Sequence, residues 1–153
     1  MENREELLKY LKSNFSDIEI KEDRQYPELY IPRERWHTEC EKLKNGEIRF
    51  DFLVSITAVD YKEKFTLVGH LENTEMHQMI VIKSDIADRE NPEIETISDL
   101  WPTSEFHERE IYDLFGIKFT NHPDLRRLFL PDDYGYPLRK DFKDDINIIE
   151  LQN

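Results

Sequence analysis

The amino-acid sequence predicts an α+β domain: a mixed, mainly antiparallel sheet of about five strands, with helices packed on one face, followed by an irregular C-terminal extension. Three observations carry this reading. Apolar residues alternate with polar ones from Ile48 onward, and apolar runs recur over 65–71 and 76–83, the pattern of strands. Around Leu7, Trp36 and Ile111 they recur instead at helical spacing. Over 108–142 neither period persists, and three of the seven prolines, two of the four glycines and a dense set of opposite charges collect there.

Leu7, Leu8, Leu11 and Phe15 lie at helical spacing, with Glu5, Glu6, Lys9 and Lys12 on the other side, which predicts a first amphipathic helix. Ile18 and Ile20 alternate with charges as in a short half-buried strand; 23–27 reads as a turn and 29–31 as a second strand. Pro32 suits the start of a helix that places Trp36, Cys40 and Leu43 on one face, and Asn45-Gly46 ends it.

Ile48, Phe50, Phe52 and Val54 alternate with Arg49 and Asp51, and the pattern then turns apolar on both faces towards Ile56 and Val59, as expected of a central strand. A turn at 60–64 leads to strands over 65–71 and 76–83, joined by polar residues, so a meander of three antiparallel strands is the economical arrangement. The strand–helix–strand run around Trp36 adds a parallel crossover, which makes the sheet mixed. Residues 86–91 form a charged connection. Residues 92–102 form a second one, and its Ile94, Ile97, Leu100 and Trp101 imply that it is tied to the body. A last helix, starting near Thr103 or Ser104, has Ile111, Leu114 and Phe115 on its apolar face with His107 one turn earlier, Glu105 and Glu108 towards its positive end, and Gly116 as its terminator. The chain thus divides into an α/β body over 1–120 and an extension over 121–153, within one domain.

Length and composition bound the function. At 153 residues the chain is long enough for one sizeable core, and 12% aromatics argues for a folded chain. A formal net charge of -13 with no basic cluster excludes a nucleic-acid footprint and disfavours an anionic membrane surface. The longest apolar run, 52–59, is interrupted by Ser55 and Thr57 and is far too short to span a bilayer. The first six residues lack the regions of a signal peptide and are too acidic for a mitochondrial transit sequence, so the chain is expected to stay where it is made. Cys40 is the single cysteine, which excludes an internal disulfide and a cysteine set for an iron–sulfur cluster or zinc ribbon; on its helix it reads as a small core residue.

Motifs for chemistry are sparse. The four glycines are scattered, so no phosphate-cradling loop or dinucleotide fingerprint exists. His107-Glu108 opens like a zinc-protease helix, but Ile111 occupies the position of the second histidine. His70 and His77 lie in neighbouring expected strands without a third ligand. Among Glu105, Glu108, Glu110 and Asp113 nothing singles out a pair of carboxylates in opposed environments, and on so acidic a chain carboxylates are expected to be mostly solvated. No catalytic, cofactor-binding or metal-ligating residue is assigned.

The segment 122–142 differs from the rest. Arg126, Arg127, Arg139 and Lys140 balance Asp124, Asp132, Asp133 and Asp141, so it is neutral on a strongly acidic chain. Neutrality suits paired, partly desolvated charges, and arginine forks grip carboxylates at two points. Residues 121–124 read as the beginning of a short helix and 131–135 as a turn. Two roles stand open at this point: the segment wraps its own body, or it docks on a partner.

The residues themselves narrow the choice. Glu108-Arg109-Glu110, Tyr112-Asp113-Leu114-Phe115-Gly116-Ile117, His122-Pro123-Asp124-Leu125-Arg126-Arg127, Leu130-Pro131-Asp132-Asp133 and Gly135-Tyr136-Pro137-Leu138-Arg139-Lys140-Asp141-Phe142 closely resemble, in order and spacing, the motif of the C-subunit family of NADH-quinone oxidoreductase, the 30 kDa subunit of respiratory complex I. Val59-Asp60-Tyr61 and Leu100-Trp101-Pro102 also resemble the family, whereas the first forty-five residues contribute little. The family often has glycine where this chain has Asn121, and an aliphatic residue and tryptophan where it has Phe129 and Tyr134.

The resemblance implies a peripheral-arm subunit without a redox centre of its own, whose C-terminal extension runs over the quinone-site subunit of the 49 kDa type, the D-subunit. It implies further neighbours such as the B- and I-subunits, and a place on the cytoplasmic side of the inner (plasma) membrane, held through partners without direct insertion. FMN, iron–sulfur clusters and quinone are then expected in the complex, which couples electron transfer from NADH to proton pumping. Carried onto this chain, the motif marks Arg126, Arg127, Arg139, Lys140, Asp124, Asp132, Asp133, His122 and Tyr136 as candidate interface residues. Glu108, Arg109, Glu110, Tyr112 and Asp113 would position the helix that launches the extension. The same module in an energy-converting hydrogenase or a ferredoxin- or deazaflavin-linked complex, and a free-standing acidic adaptor, are the competing readings.

Overall fold

The structure, a computed structural model, describes residues 2–144. Helix α1 (Glu2–Asn14) leads to strands β1 (Glu19–Lys21) and β2 (Glu28–Tyr30), then a single 3-10 turn (Arg33–Arg35) and helix α2 (Trp36–Asn45). Strands β3 (Phe52–Asp60), β4 (Phe65–Asn73) and β5 (Gln78–Ile86) follow, then β6 (Glu93–Glu95), helix α3 (Ser104–Phe115) and β7 (Lys118–Thr120). The main sheet has the order β1-β2-β5-β4-β3, and only its β2–β5 pair is parallel, so the mixed five-stranded sheet is as expected.

Local patterning explains most of this. Leu7 and Leu11 of α1, with Phe15 beyond its end, and Trp36, Cys40 and Leu43 of α2 are buried in one core with the inward row of the sheet, which includes Leu29, Leu53, Ile56, Leu67, Leu71, Ile80 and Ile82. Each such large side chain contributes roughly 1.5–3 kcal/mol relative to leaving it exposed. The route from β2 through α2 to β3 returns the chain in the same direction, which is the crossover that the Trp36 region suggested.

Strand β3 departs from expectation. It is an edge strand, not a central one. Residues 48–50 precede the strand, where Phe50 N–H donates to Leu43 O, and within β3 it is Leu53 that turns inward. A register shift between Leu53 and Ser55 inserts Val54 as an extra residue, and Phe52 and Val54 are left 48% and 40% exposed. The alternation that runs through 48–54 therefore spans two segments of different orientation. The apolar character of both faces reflects exposed side chains rather than double burial.

The loop carrying Ile94, Ile97 and Trp101 is tied down as expected: all three are buried and Leu100 packs against them. What fastens it is not legible in the sequence. Strands β6 and β7 form a separate two-stranded parallel sheet, flanked by Lys118 N–H to Pro92 O and Thr96 N–H to Thr120 O. Each strand offers one buried side chain, Ile94 and Phe119, too few to make a period.

Gly116 ends α3 as expected, in the left-handed region at φ 73°, with its N–H donating to Tyr112 O. A Cβ there would lie 2.6 Å from Cε2 of Tyr136. Gly116→Ala is expected to destabilise the fold by roughly 1–3 kcal/mol, from the left-handed backbone and the displaced ring together. Urea denaturation reads this directly, and a midpoint equal to the parent's would contradict it.

Candidate functional site

Helix α3 and the segment 121–142 form one unit. Three charged residues of the helix are buried, Glu108, Arg109 and Asp113, which corrects the expectation that its carboxylates are mostly solvated; of the four, Glu105 is half-buried and Glu110 alone is exposed. The two buried carboxylates sit in opposed environments.

Glu108 is surrounded by neutral donors. Its carboxylate accepts from Ile97 N–H at 2.9 Å, Ser104 Oγ at 2.9 Å and the Thr96 hydroxyl, and so stitches the start of α3 to the 96–98 loop. Burial pushes its carboxyl above the ordinary range, opposed by these hydrogen bonds. His122 Nε2 lies 3.7 Å away and donates to Glu105 O at 3.0 Å, while Nδ1 accepts from Asp124 N–H at 3.0 Å. Both ring nitrogens of His122 are thus held by backbone groups, which fixes the ring beside Glu108. Residues 121–124 form a turn, not the start of a helix, and Asn121 there has φ 63°, a conformation that asparagine tolerates better than most residues.

Asp113 faces a cation instead. Its Oδ1 lies 2.6 Å from Arg127 Nε, a close ion pair that is not aligned as a hydrogen bond. Its Oδ2 accepts Phe129 N–H at 2.8 Å and Leu130 N–H at 3.3 Å. Arg127 also donates to Gly135 O at 2.7 Å and lies over the Tyr136 ring. One turn back, Arg109 donates to the carbonyls of Arg126 and Arg127. The irregular backbone of 126–130 therefore finds its missing partners in side chains of α3.

The second half of the segment is fixed at the end of the sheet. Leu138 N–H donates to Leu114 O at 3.1 Å, and Arg139 Nε donates to Phe115 O at 2.6 Å. The Arg139 guanidinium lies over both Phe65 and Tyr136, and burial lowers its pKa. Asp60, at the end of β3, pairs with Arg89 and accepts Lys140 N–H at 2.9 Å and Lys62 N–H at 2.7 Å. Arg89, with those two amides, holds its carboxyl well below the usual carboxylate range. The turn read at 131–135 closes through Tyr134 N–H to Pro131 O.

The residues marked from the motif thus part company. Arg127, Arg139, Tyr136 and the His122 side chain serve contacts within the chain. Asp124 and Arg126 pair with each other at the surface, and Asp132, Asp133 and Lys140 are exposed. Tyr112 packs near the Tyr136 ring, and burial raises its pKa. The sequence gives no role to Asp60, which stands in a resembling tripeptide, and no local pattern marks Arg89, which acts 29 residues away. Among the described residues no group of three or more histidine, cysteine or acidic side chains is placed to hold a metal. No described helix is long and apolar enough to cross a membrane.

Comparison with known proteins agrees with this architecture. Residues 29–146 match the model of the family described as "Respiratory-chain NADH dehydrogenase, 30 Kd subunit". The chain is 40% identical over 136 residues to the C-subunit of NADH-quinone oxidoreductase from Moorella thermoacetica, covering 87% of this chain and 90% of that one. It is 46% identical over 127 residues to the C/D-subunit of NADH-quinone oxidoreductase from Phocaeicola vulgatus; that match takes in 82% of this chain but 24% of the relative, so the chain spans about a quarter of that longer protein. A chain in the structure of the membrane-bound sulfane sulfur reductase, an archaeal respiratory membrane complex, superposes with a TM-score of 0.80 at 29% identity, over 91% of this chain and 85% of that one. With the matched family model running from β2 through the segment 121–142, the strap that α3 launches, this chain belongs to the family of the respiratory-chain NADH dehydrogenase 30 kDa subunit.

Proposed function

We propose that this chain is a non-redox structural subunit of the peripheral arm of a proton-translocating NADH:quinone oxidoreductase, and that it holds the quinone-site D-subunit in place. The observation that carries the reading is the strap itself. Two arginines inside it and three charged residues of the body fix an irregular backbone onto α3 and the end of β3, so that a surface is ready-formed before any partner arrives. Electron transfer from NADH through FMN and iron–sulfur clusters to quinone is assigned to the other subunits. A cysteine-ligated cluster does not fit this chain, whose one cysteine is buried in the core. The B- and I-subunits are further proposed neighbours, and attachment to the cytoplasmic side of the membrane is indirect, through such partners.

The likeness to a chain of the archaeal sulfane sulfur reductase favours a second reading, an equivalent subunit in a related respiratory complex with another electron donor or acceptor. Affinity isolation of the full tagged chain from detergent-solubilised membranes, with mass spectrometry of what accompanies it, separates the two. The quinone-site D-subunit together with flavin-binding NADH-input subunits is the expected result. A nickel-binding large subunit in their place supports the second reading, and a chain that elutes alone overturns both.

A further inference from the structure

The chain exposes six large apolar side chains among the described residues, and three of them lie on α3 and its strap: Phe106 at 60%, Phe129 at 75% and Leu138 at 51%. Their backbones are fixed relative to one another. Phe129 N–H is held by the Asp113 carboxylate and Leu138 N–H by the carbonyl of the next residue, Leu114. Phe106 stands two helical turns before Asp113, on the same face of α3. The aromatic side chains at 106 and 129 and the leucine at 138 are thus presented by elements that are themselves tied down.

Three further observations bear on what covers them. The cations with the chemistry of a two-point grip, Arg127 and Arg139, are engaged within the chain and cannot serve as the main outward contacts. Four cations and four carboxylates balance along the strap of a chain of -13, and at its surface Arg126 pairs with Asp124, so an apolar face that closes there meets less like charge than the acidic remainder of the chain would present. A relative named as a C/D-subunit carries both parts in one polypeptide, and permanent contacts of this kind are more apolar than transient ones.

We propose that Phe106, Phe129 and Leu138 are the apolar centre of the contact with the quinone-site D-subunit, with Arg126, Asp124 and Lys140 as its polar rim. This rests on the reading that the chain docks on that protein. The strap's inward-engaged arginines, Arg127 and Arg139, shape the surface; the exposed apolar side chains bind.

The test uses the full tagged chain co-expressed with its cognate D-subunit. The triple variant F106S/F129S/L138S should retain the parent's melting temperature and capture about tenfold less of the D-subunit or lower still, as expected when buried interface anchors are removed. F52S/V54S, which alters equally apolar side chains exposed on β3, should capture as much as the parent. If the triple variant melts early, F129S alone decides, with about threefold weaker capture expected. Full capture by the triple variant overturns this inference and leaves the docking function standing. No capture by the parent chain overturns the docking function and the inference with it. A parent chain that dimerises, and becomes monomeric in the triple variant without change in D-subunit capture, assigns the patch to a second copy and also overturns the inference.

Discussion

Asp113→Leu is expected to destabilise the protein by about 3–5 kcal/mol and to open residues 126–130 to proteolysis, because it strands a buried cation. Arg127 is buried against Asp113 on one side and Tyr136 on the other, and its hydrogen bond to Gly135 O leaves the charge itself uncompensated. The same substitution releases Phe129 N–H and Leu130 N–H from their acceptor. A second change, Asp113→Leu with Arg127→Met, removes both charges and should recover much of the lost stability, since two well-packed apolar groups often replace a buried pair at little cost. Chemical denaturation of the parent, the single and the double variants checks this. A single variant as stable as the parent, or a double variant weaker than the single, would falsify the assignment. The single variant should also capture less of the D-subunit, because Phe129 loses its backbone anchor.

What can be read from residues alone follows the range of the interactions involved. The helices around Leu11, Trp36 and Ile111 and the strands at Leu67 and Ile80 are short-range patterns, each declaring itself within a dozen residues. Gly116 and the turn at Pro131 are equally local. Strand β3 is misplaced by its pattern because Ile48, Phe50, Phe52 and Val54 keep a period of two across a break in orientation, and periodicity has no signal for a bulge. In the site, the motif draws attention to the right segment but not to the division of labour within it. Whether an arginine points inward to Asp113 or outward like Arg126 depends on a partner 14 residues away in one case and two in the other. Asp60 and Arg89, which fix the far end of the strap, meet Lys140 and Asp141 only through the fold. Their adjacency exists in three dimensions alone.

Glu108→Ala is expected to destabilise the fold by about 3 kcal/mol at neutral pH, because at least three buried donors, Ile97 N–H and the Ser104 and Thr96 hydroxyls, lose their acceptor. The more discriminating variant is Glu108→Gln, which keeps the shape and removes the titration. Burial raises the Glu108 carboxyl above its ordinary value, so the folded state binds a proton that the unfolded state has already released. The contribution of this group to stability is therefore fully present below the unfolded pKa and is lost as pH rises through the folded one. Every other carboxylate is common to both proteins and cancels in their difference. The advantage of the parent over Glu108→Gln, measured by urea denaturation, should accordingly shrink as the pH is raised from the acid side through the titration of the folded carboxyl. Growth of that advantage with pH would mean that the hydrogen bonds from Ile97, Thr96 and Ser104 outweigh burial and hold the carboxylate ionised. In that case Glu108 would grip the 96–98 loop as a charged acceptor, stabilising the launch of the strap most strongly at neutral pH rather than at acid pH.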